Sequence, residues 1–359
     1  MILGIPREWA LALVLLFLAF QVLRRPHRPP LRSWPSQELV ADADGVMVTF
    51  LVAAWNASEK LQSFMEGFDS VTLPNKELVL CCGGPDNTYA ESLAFEKPNV
   101  IILEQLPGQG KQGGLRAGFP YSKGDMIYLT DIDCVPNDTA VNLLIRRLQK
   151  SNLAAVSGAI QPLPHQHAIP IVRSQWAIER YLSLSTPELI EGLRGANAVV
   201  WRRVIEETGS FKQDAPSGTD YTLAKEIVRI HGVIGFESNS EMPTEYPQSI
   251  RQYISKQSRW LRNVLVLGKK YDARREVRGV YRTIGLAGFT MLCGLMALLW
   301  LPAIWIFGGL FVQTVINRYH YHRWSGVSVS VVGVFETIVG DWGAALKAAY
   351  QVLFHQLTW

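Results

Sequence analysis

Cysteine is scarce, with four in 359 residues, and Cys81, Cys82, Cys134 and Cys293 include no C-x-x-C pair. That excludes a zinc ribbon and a disulfide-stapled scaffold, and a bridge across the vicinal Cys81-Cys82 pair would be strained. The thiols read as structural groups in a reducing compartment. Charge is also thin. Asp, Glu, Lys and Arg make up 18% of the chain and the net formal charge is only +4, too little to argue for nucleic acid as a partner. From residue 283 to residue 316 there is no charge at all. No glycine-rich run ends in Gly-Lys-Ser/Thr, so the chain has no P-loop. The pairs His165/His167 and His320/His322 have no further ligands close by in sequence, which argues against a metal centre at either.

Apolar residues, by contrast, are plentiful: 48% of the chain, with a positive mean hydropathy, more than a soluble domain needs. Trp9 to Leu23 is apolar apart from Gln21, and with Ile2 to Pro6 it approaches the roughly 20 residues of a membrane span. Arg24, Arg25, His27, Arg28 and Arg32 follow the apolar run, whereas a cleavable signal would carry its charge before it. Residues 1–23 therefore read as an uncleaved anchor with its amino end outside and the rest of the chain cytoplasmic. Residues 24–44, with Pro26, Pro29, Pro30 and Pro35, read as a stiff basic linker. Residues 248–280 are basic and amphipathic and suit a helix in the headgroup layer. The remainder, 281–359, reads as a membrane region: a tilted, kinked span or a hairpin turning near Pro302, then a third span or interfacial helix from Gly326. The chain is thus expected to be a multi-pass membrane protein.

Between these segments, residues 45–247 alternate buried-strand runs with helical stretches, the pattern of an α/β domain with a mostly parallel sheet. The expected strands are Val46 to Ala54, Glu77 to Cys82, Val100 to Leu106, Met126 to Thr130, Ala154 to Ile160 and Val233 to Glu237. Such sheets bind ligands at the carboxyl ends of their strands. Trp55-Asn56, Gly83-Gly84-Pro85-Asp86 and Asp131-Ile132-Asp133 all fall there. In an extended backbone Asp131 and Asp133 point the same way, and two converging carboxylates suit Mg²⁺ or Mn²⁺.

Gly108 to Arg116 holds four glycines with Lys111 and Arg116, either a flexible surface loop or an anion-binding turn that opens a helix. Asp220 stands where a helix begins, as its amino-terminal cap or as a general base near an acceptor hydroxyl. Spacing alone leaves both pairs of alternatives open.

In order, these motifs resemble family 2 glycosyltransferases of the GT-A type, over roughly residues 46 to 265. Val52-Ala53-Ala54-Trp55-Asn56 is similar to the family's opening strand and nucleotide loop, which implies donor contacts at Ala54 and Asn56. Asp86 matches the aspartate after the second strand, and Lys111 and Arg116 match basic positions on the helix before the metal strand. Asp131 and Asp133 match the D-x-D pair that binds metal and nucleotide sugar. Gly195 and Asn197 fit the acceptor-side Gly-x-Asn signature, Asp220 fits the catalytic base, and Arg259-Trp260 fit the end of the Q/R-x-x-R-W motif. Two positions depart from the pattern. Cys81-Cys82-Gly83-Gly84 replaces an acidic base-binding element, and Lys256 opens the last motif, where it cannot form a bidentate fork.

The resemblance implies an inverting transfer from a nucleotide sugar, a UDP-sugar in the family's habit, to a membrane lipid, with Mg²⁺ or Mn²⁺ as cofactor and the bilayer as partner. One amino-terminal span and two or three others are too few to enclose a polymer channel, which favours a glycolipid product and a likeness to ceramide glucosyltransferases. A short polysaccharide synthase, a non-catalytic membrane binding protein and a sugar nucleotidyltransferase are the alternatives. The sequons Asn56-Ala57-Ser58 and Asn137-Asp138-Thr139 lie beside the expected donor site, where a glycan would obstruct substrate, in keeping with a cytoplasmic domain.

Overall fold

Runs of Val, Leu and Ile with no polar alternation form strands buried on both faces, and eight strands assemble into one mixed sheet in the computed structural model. The structure describes residues 6–22, 26–29, 45–213 and 217–354. In chain order the elements are α1 (Arg7–Val22), β1 (Val48–Trp55), α2 (Ser58–Ser70), β2 (Lys76–Gly83), α3 (Thr88–Ser92), β3 (Val100–Glu104), α4 (Gly110–Gly118), β4 (Met126–Leu129), α5 (Asp138–Gln149), β5 (Ala155–Pro162) and α6 (Pro170–Ser185). They continue with β6 (Leu189–Ile190), β7 (Ala198–Trp201), α7 (Arg202–Glu207), α8 (Thr219–Arg229), β8 (Ile234–Thr244), α9 (Ile250–Lys270), α10 (Arg274–Met296), α11 (Pro302–Ser325) and α12 (Val331–Leu353).

The sheet order is β3-β2-β1-β4-β7-β5-β8-β6. Strands β3, β2, β1 and β4 are mutually parallel, as are β5 and β8. The short strand β7 runs antiparallel between β4 and β5, and β6 is antiparallel to β8. All six expected strands are present, with ends shifted by a few residues. The main difference is β8, which continues to Thr244 after a register shift opposite Gly158/Ala159. Strands β6 and β7 escape sequence reading because two and four residues are too short for a period to register.

Alternate residues of β1 and β4 enter different cores. Phe50, Val52, Met126 and Tyr128 pack with Phe64 and Phe68 of α2 and Leu144 and Leu148 of α5. Leu51, Ile127 and Leu129 pack with Leu115, Ile205, Leu223 and Ile227 from α4, α7 and α8. Helices on both faces explain why the strands read as continuous apolar runs.

The chain divides into two units: Pro30–His165 with Leu182–Tyr246, and Met1–Pro29 with Gln166–Tyr181 and Pro247–Trp359. The sheet unit ends one residue before the expected boundary at 247, but it is interrupted, since Gln166–Tyr181 belongs to the helical unit. The expected divisions at 248–280 and 281–359 fall inside that one helical unit. Most of the expected linker, including residues 30–44, lies outside the described residues.

Within the helical unit, α9 buries Tyr253, Leu261, Val264 and Leu265. Small residues of α12 receive this face: a Cβ at Gly340 would meet Tyr253 Cδ1 at 2.5 Å, and one at Gly343 would meet Ile254 Cδ1 at 2.6 Å. The apolar face of α9 is therefore covered by protein and not presented to headgroups, a correction to the sequence reading. The packing carries a polar tie as well. Tyr253 donates to Asp341 Oδ1 at 2.8 Å, and Arg318 pairs with Asp341 Oδ2. Helices α10 and α11 form a hairpin, and Cys293, Ile306 and Leu310 pack with Ala12 of α1. Among the described residues one helix, Arg274–Met296, is long and apolar enough to cross a membrane, and Glu8–Phe17 is a shorter apolar helix.

The glycines of α4 have a packing role. A Cβ at Gly118 would lie 2.8 Å from both Cys81 Sγ and Leu51 Cδ1, so only a bare backbone lets α4 rest this closely on β1 and β2. Gly118→Val is expected to destabilise the protein by about 1–3 kcal/mol. Denaturant unfolding of the sheet domain, followed by tryptophan fluorescence, measures the loss; an unchanged midpoint would mean that α4 has room to move.

Candidate active site

The carboxyl ends of β1, β2 and β4 and the amino ends of α4 and α8 supply the side chains singled out above. Lys111 is the second residue of α4, so the run from Gly110 to Gly118 is itself the helix and not a loop before it. Gly114 lets the helix sit against the sheet, because a Cβ there would meet Ala53 Cβ at 3.0 Å. A lysine in the first turn opposes the helix dipole. Here acidic groups offset that cost: Lys111 Nζ contacts Asp131 Oδ1 directly. Burial pulls the ammonium's pKa down, but Asp131, Asp220 and Asp133 more than offset it and hold the group above its ordinary value.

Asp131 and Asp133 do not lie on an extended strand. Strand β4 ends at Leu129, and residues 131–134 form a turn closed by Cys134 N–H donating to the Asp131 carbonyl at 3.1 Å. The i, i+2 alternation expected from sequence is thus replaced by turn geometry. Both acids remain half-exposed and in the field of the same ammonium. The turn is anchored to the end of β8, with Val135 N–H donating to Pro243 O at 2.9 Å and Glu245 N–H to Asp133 O at 3.0 Å.

Asp220 is not the cap of α8. Gly218, with φ 77°, holds that position, and Asp220 follows in the first turn. Its Oδ1 accepts from Tyr221 N–H at 2.9 Å and its Oδ2 from Gly195 N–H at 3.3 Å. A Cβ at Gly195 would lie 3.1 Å from Asp220 Cβ and 3.1 Å from Lys111 Nζ, so the missing side chain is what allows carboxylate and ammonium to approach. Lys111, Gly195, Thr130, Thr219 and Asp220 line one pocket, floored by Leu51 and Leu129. Thr130 and Thr219 were not singled out in the sequence. Their only signal is adjacency to Asp131 and Asp220.

Other expected site residues have different surroundings. Asn197 is fully buried. Its Nδ2 donates to Ala159 O at 2.8 Å and Ser240 O at 2.9 Å, and its Oδ1 accepts from Tyr128 OH. It ties β4, β5 and β8 together inside the core, and so corrects the acceptor-side reading. Ala54 is likewise buried in the core, leaving no side chain for a donor. Arg116 is exposed and does not line the pocket.

Asn56 adopts φ 54°, a turn conformation at the end of β1. Asp86 braces two loops: Oδ2 accepts from Ser58 N–H at 3.1 Å and Oδ1 from Thr88 N–H at 3.0 Å, while Thr88 Oγ1 accepts from Ala57 N–H at 2.7 Å. Burial pushes its carboxyl up, but the Thr88 hydroxyl, which donates to Oδ1 at 2.6 Å, and the Ser58 and Thr88 N–H groups outweigh it and hold the pKa below the usual range. Cys81 and Cys82 are buried, and burial followed by the neighbouring thiol pushes Cys81 up to about 12, so these thiols stay protonated. Asn137 caps α5 by accepting from Ala140 N–H at 3.0 Å, a structural use of one sequon. Arg259 and Trp260 are in the helical unit, exposed on the side of α9 away from its buried face.

Three carboxylates face one pocket ammonium, so negative charge is in surplus. Hard carboxylate oxygens fit Mg²⁺ or Mn²⁺, which need only one or two protein carboxylates when phosphate and water complete the shell. Among the described residues no group of three or more His, Cys, Asp or Glu is placed to hold a metal ion.

Residues 49–207 match the family model described as "Glycosyl transferase family 2". Over 114 residues the chain is 29% identical to the poly-beta-1,6-N-acetyl-D-glucosamine synthase of Staphylococcus epidermidis, a stretch covering 31% of this chain and 28% of that one. The chain thus spans little more than a quarter of the curated relative it matches. Among solved structures, the mannosyltransferase PcManGT from Pyrobaculum calidifontis, in complex with GDP-Man and Mn²⁺, is similar with a TM-score of 0.57 and 13% identity, over 98% of this chain and 96% of that one. At that identity the likeness is one of fold. Glucosyl-3-phosphoglycerate synthase from Mycobacterium tuberculosis is similar with a TM-score of 0.45 and 14% identity, over 70% of this chain and 88% of that one. The sheet and the matched region agree: residues 49–207 match a family 2 glycosyltransferase domain, and the fold is similar to that of a GT-A-type mannosyltransferase.

Proposed function

We propose that this glycosyltransferase moves a sugar from a nucleotide sugar, most simply a UDP-sugar, to a membrane lipid with inversion at the anomeric carbon. One observation carries the reading: Lys111, Gly195 and Asp220 line a single pocket, and Lys111 contacts Asp131 at its rim. Asp131 and Asp133 would hold Mg²⁺ or Mn²⁺, which when bound supplies positive charge to the diphosphate leaving group. Lys111 adds a fixed ammonium on the same side. The acceptor hydroxyl meets Asp220, which takes its proton as the oxygen attacks. Backbone N–H groups of Gly195 and Tyr221 hold that carboxylate in one orientation. Asp86 and Asn56 shape the nucleotide end by bracing the two loops, and Arg259 and Trp260 belong to the proposed donor set through the family pattern alone.

Membrane attachment is supported by the helical unit. Leu298 and Leu299 at the α10–α11 turn are 86% and 87% exposed, an apolar tip that suits lipid. Trp305 is exposed near this tip and Trp9 lies 6.4 Å from it, ring to ring. Tyr281 and Tyr319 are exposed toward the base of the hairpin. From Tyr281 to the end of α10 at Met296 the helix rises about 22 Å at 1.5 Å per residue, and the turn beyond it extends the apolar length toward that of a hydrocarbon core; aromatic rings such as Tyr281 favour the interface. Arg274, Arg275, Arg278 and Arg282 are exposed at the base and suit an anionic cytoplasmic leaflet. In this reading the hairpin and α1 cross together, and the sheet unit is cytoplasmic.

A second reading, a short polysaccharide synthase, is favoured by the partial match to the staphylococcal polymer synthase. Membranes given labelled nucleotide sugars with Mn²⁺ should incorporate label into lipid extract; label in long polymer made by the purified protein would establish the synthase instead.

Asp220→Asn is expected to keep donor binding and lose transfer by about 10²-fold or more, whereas Asp133→Ala should weaken donor binding and abolish metal-dependent turnover. Near-normal turnover by Asp220→Asn would leave that carboxylate only a helix-bracing role. The hairpin is checked by cysteine labelling in sealed vesicles, helped by the burial of all four native thiols. Leu299→Cys and Arg278→Cys should react with an impermeant maleimide from opposite faces. Reaction of both from one face would show that the hairpin does not cross.

A further inference from the structure

We propose that Lys60 and Glu245 form a charge pair that sets the divalent-cation affinity of the Asp131/Asp133 site, with Glu245 holding the Lys60 ammonium off Asp133. The proposal rests on the reading that these two aspartates bind the metal. Lys60 is in the first turn of α2, and its Nζ is 2.6 Å from Glu245 Oε2, with the two side chains 31% and 36% exposed. Glu245 directly follows the end of β8, and that stretch is sewn to the metal turn. Cys134 bridges to Thr244, Val135 N–H donates to Pro243 O, and Glu245 N–H donates to the Asp133 carbonyl at 3.0 Å.

The lysine is held in place from the other side too. Helix α2 packs on the chain just past the turn, where a Cβ at Gly67 would meet the Pro136 backbone N at 2.9 Å, and Thr72 N–H donates to Asp138 Oδ1 at 2.7 Å. Lys60 therefore stays at the flank of Asp133. Burial lowers its pKa, yet Glu245, and after it Asp133, more than offset this and raise it, which places the ammonium in the field of the metal ligand.

The intact pair is neutral, and breaking it from either end changes the local charge by one unit in opposite senses. Without the Glu245 carboxylate, the ammonium is left to Asp133 and competes with a cation. Without the ammonium, Glu245 adds negative field beside the site. Lys60 and Glu245 are thus positioning residues that act through Asp133. A purely structural tie would behave differently, because losing either partner would loosen the same turn and weaken binding both times.

The test is direct Mn²⁺ titration of the full-length protein, reading free Mn²⁺ by electron paramagnetic resonance at low ionic strength, with UDP and separately with GDP present. Glu245→Gln should weaken Mn²⁺ binding about three- to tenfold, and Lys60→Met should tighten it by a similar factor. The double variant should return to within about twofold of wild type, and Lys60→Arg should match wild type. Both shifts should shrink at high salt, as a half-exposed electrostatic effect must. If both single variants move the same way, or neither moves, the tuning proposal is overturned while the metal reading stands. If wild type takes up no Mn²⁺ with either nucleotide, the metal reading falls and this proposal falls with it.

Discussion

The site depends on how closely α4 can approach the sheet. Gly114 and Gly118 remove the side chains that would meet Ala53, Leu51 and Cys81, and the helix settles directly on β1 and β2. Its amino end then delivers Lys111 to Asp131. A cation in a first turn is disfavoured by the helix dipole, so the position is stable only because acids converge on it. Asp131 and Asp133 come from the turn after β4 and Asp220 from the first turn of α8, and the ammonium between them keeps their repulsion in check. Gly195 completes the arrangement by leaving room where Lys111 and Asp220 meet.

Around this centre, polar side chains hold the loops. Asp86 and Thr88 lock the loop after β1 to the loop after β2 through Ser58 and Ala57. Asn197 has both ends of its side-chain amide bonded inside the sheet and ties β7 to its neighbours. Buried polar groups of this kind are costly unless fully paired, and here the pairing sets the position of the Gly195 backbone two residues away. The turn bearing Asp131 and Asp133 gains its rigidity from the end of β8. The two carboxylates are thereby held by long-range contacts and not by the short strand that precedes them.

The helical unit uses the same device as α4. Gly340 and Gly343 of α12 accept Tyr253 and Ile254 of α9, and the Tyr253–Asp341–Arg318 tie fixes the packing. One face of α9 is thus closed, and Arg259 and Trp260 remain on the other. Exposed leucines cluster at the turn of the hairpin instead, with Leu295, Leu298, Leu299 and Leu301 all more than half exposed, so the largest open apolar surface of this unit is on α10 and α11 and not on the buried face of α9.

The sequence by itself determined the strand set, the parallel character of the sheet and the identity of the acids, because buried runs and their ordered motifs are local properties. It also pointed to the apolar hairpin, since a long uncharged stretch is visible without a fold. Only the tertiary structure decided what the glycines of α4 do, that Asp131 and Asp133 stand on a turn, that Gly218 and not Asp220 caps α8, and that Asn197 and Ala54 are core residues. Each of these depends on which distant atoms come within 3 Å, and a motif's spacing carries no record of that. Lys60 and Glu245 show the same division: nothing in either local sequence links them, and they meet only because β8 and α2 both pack against the turn after β4.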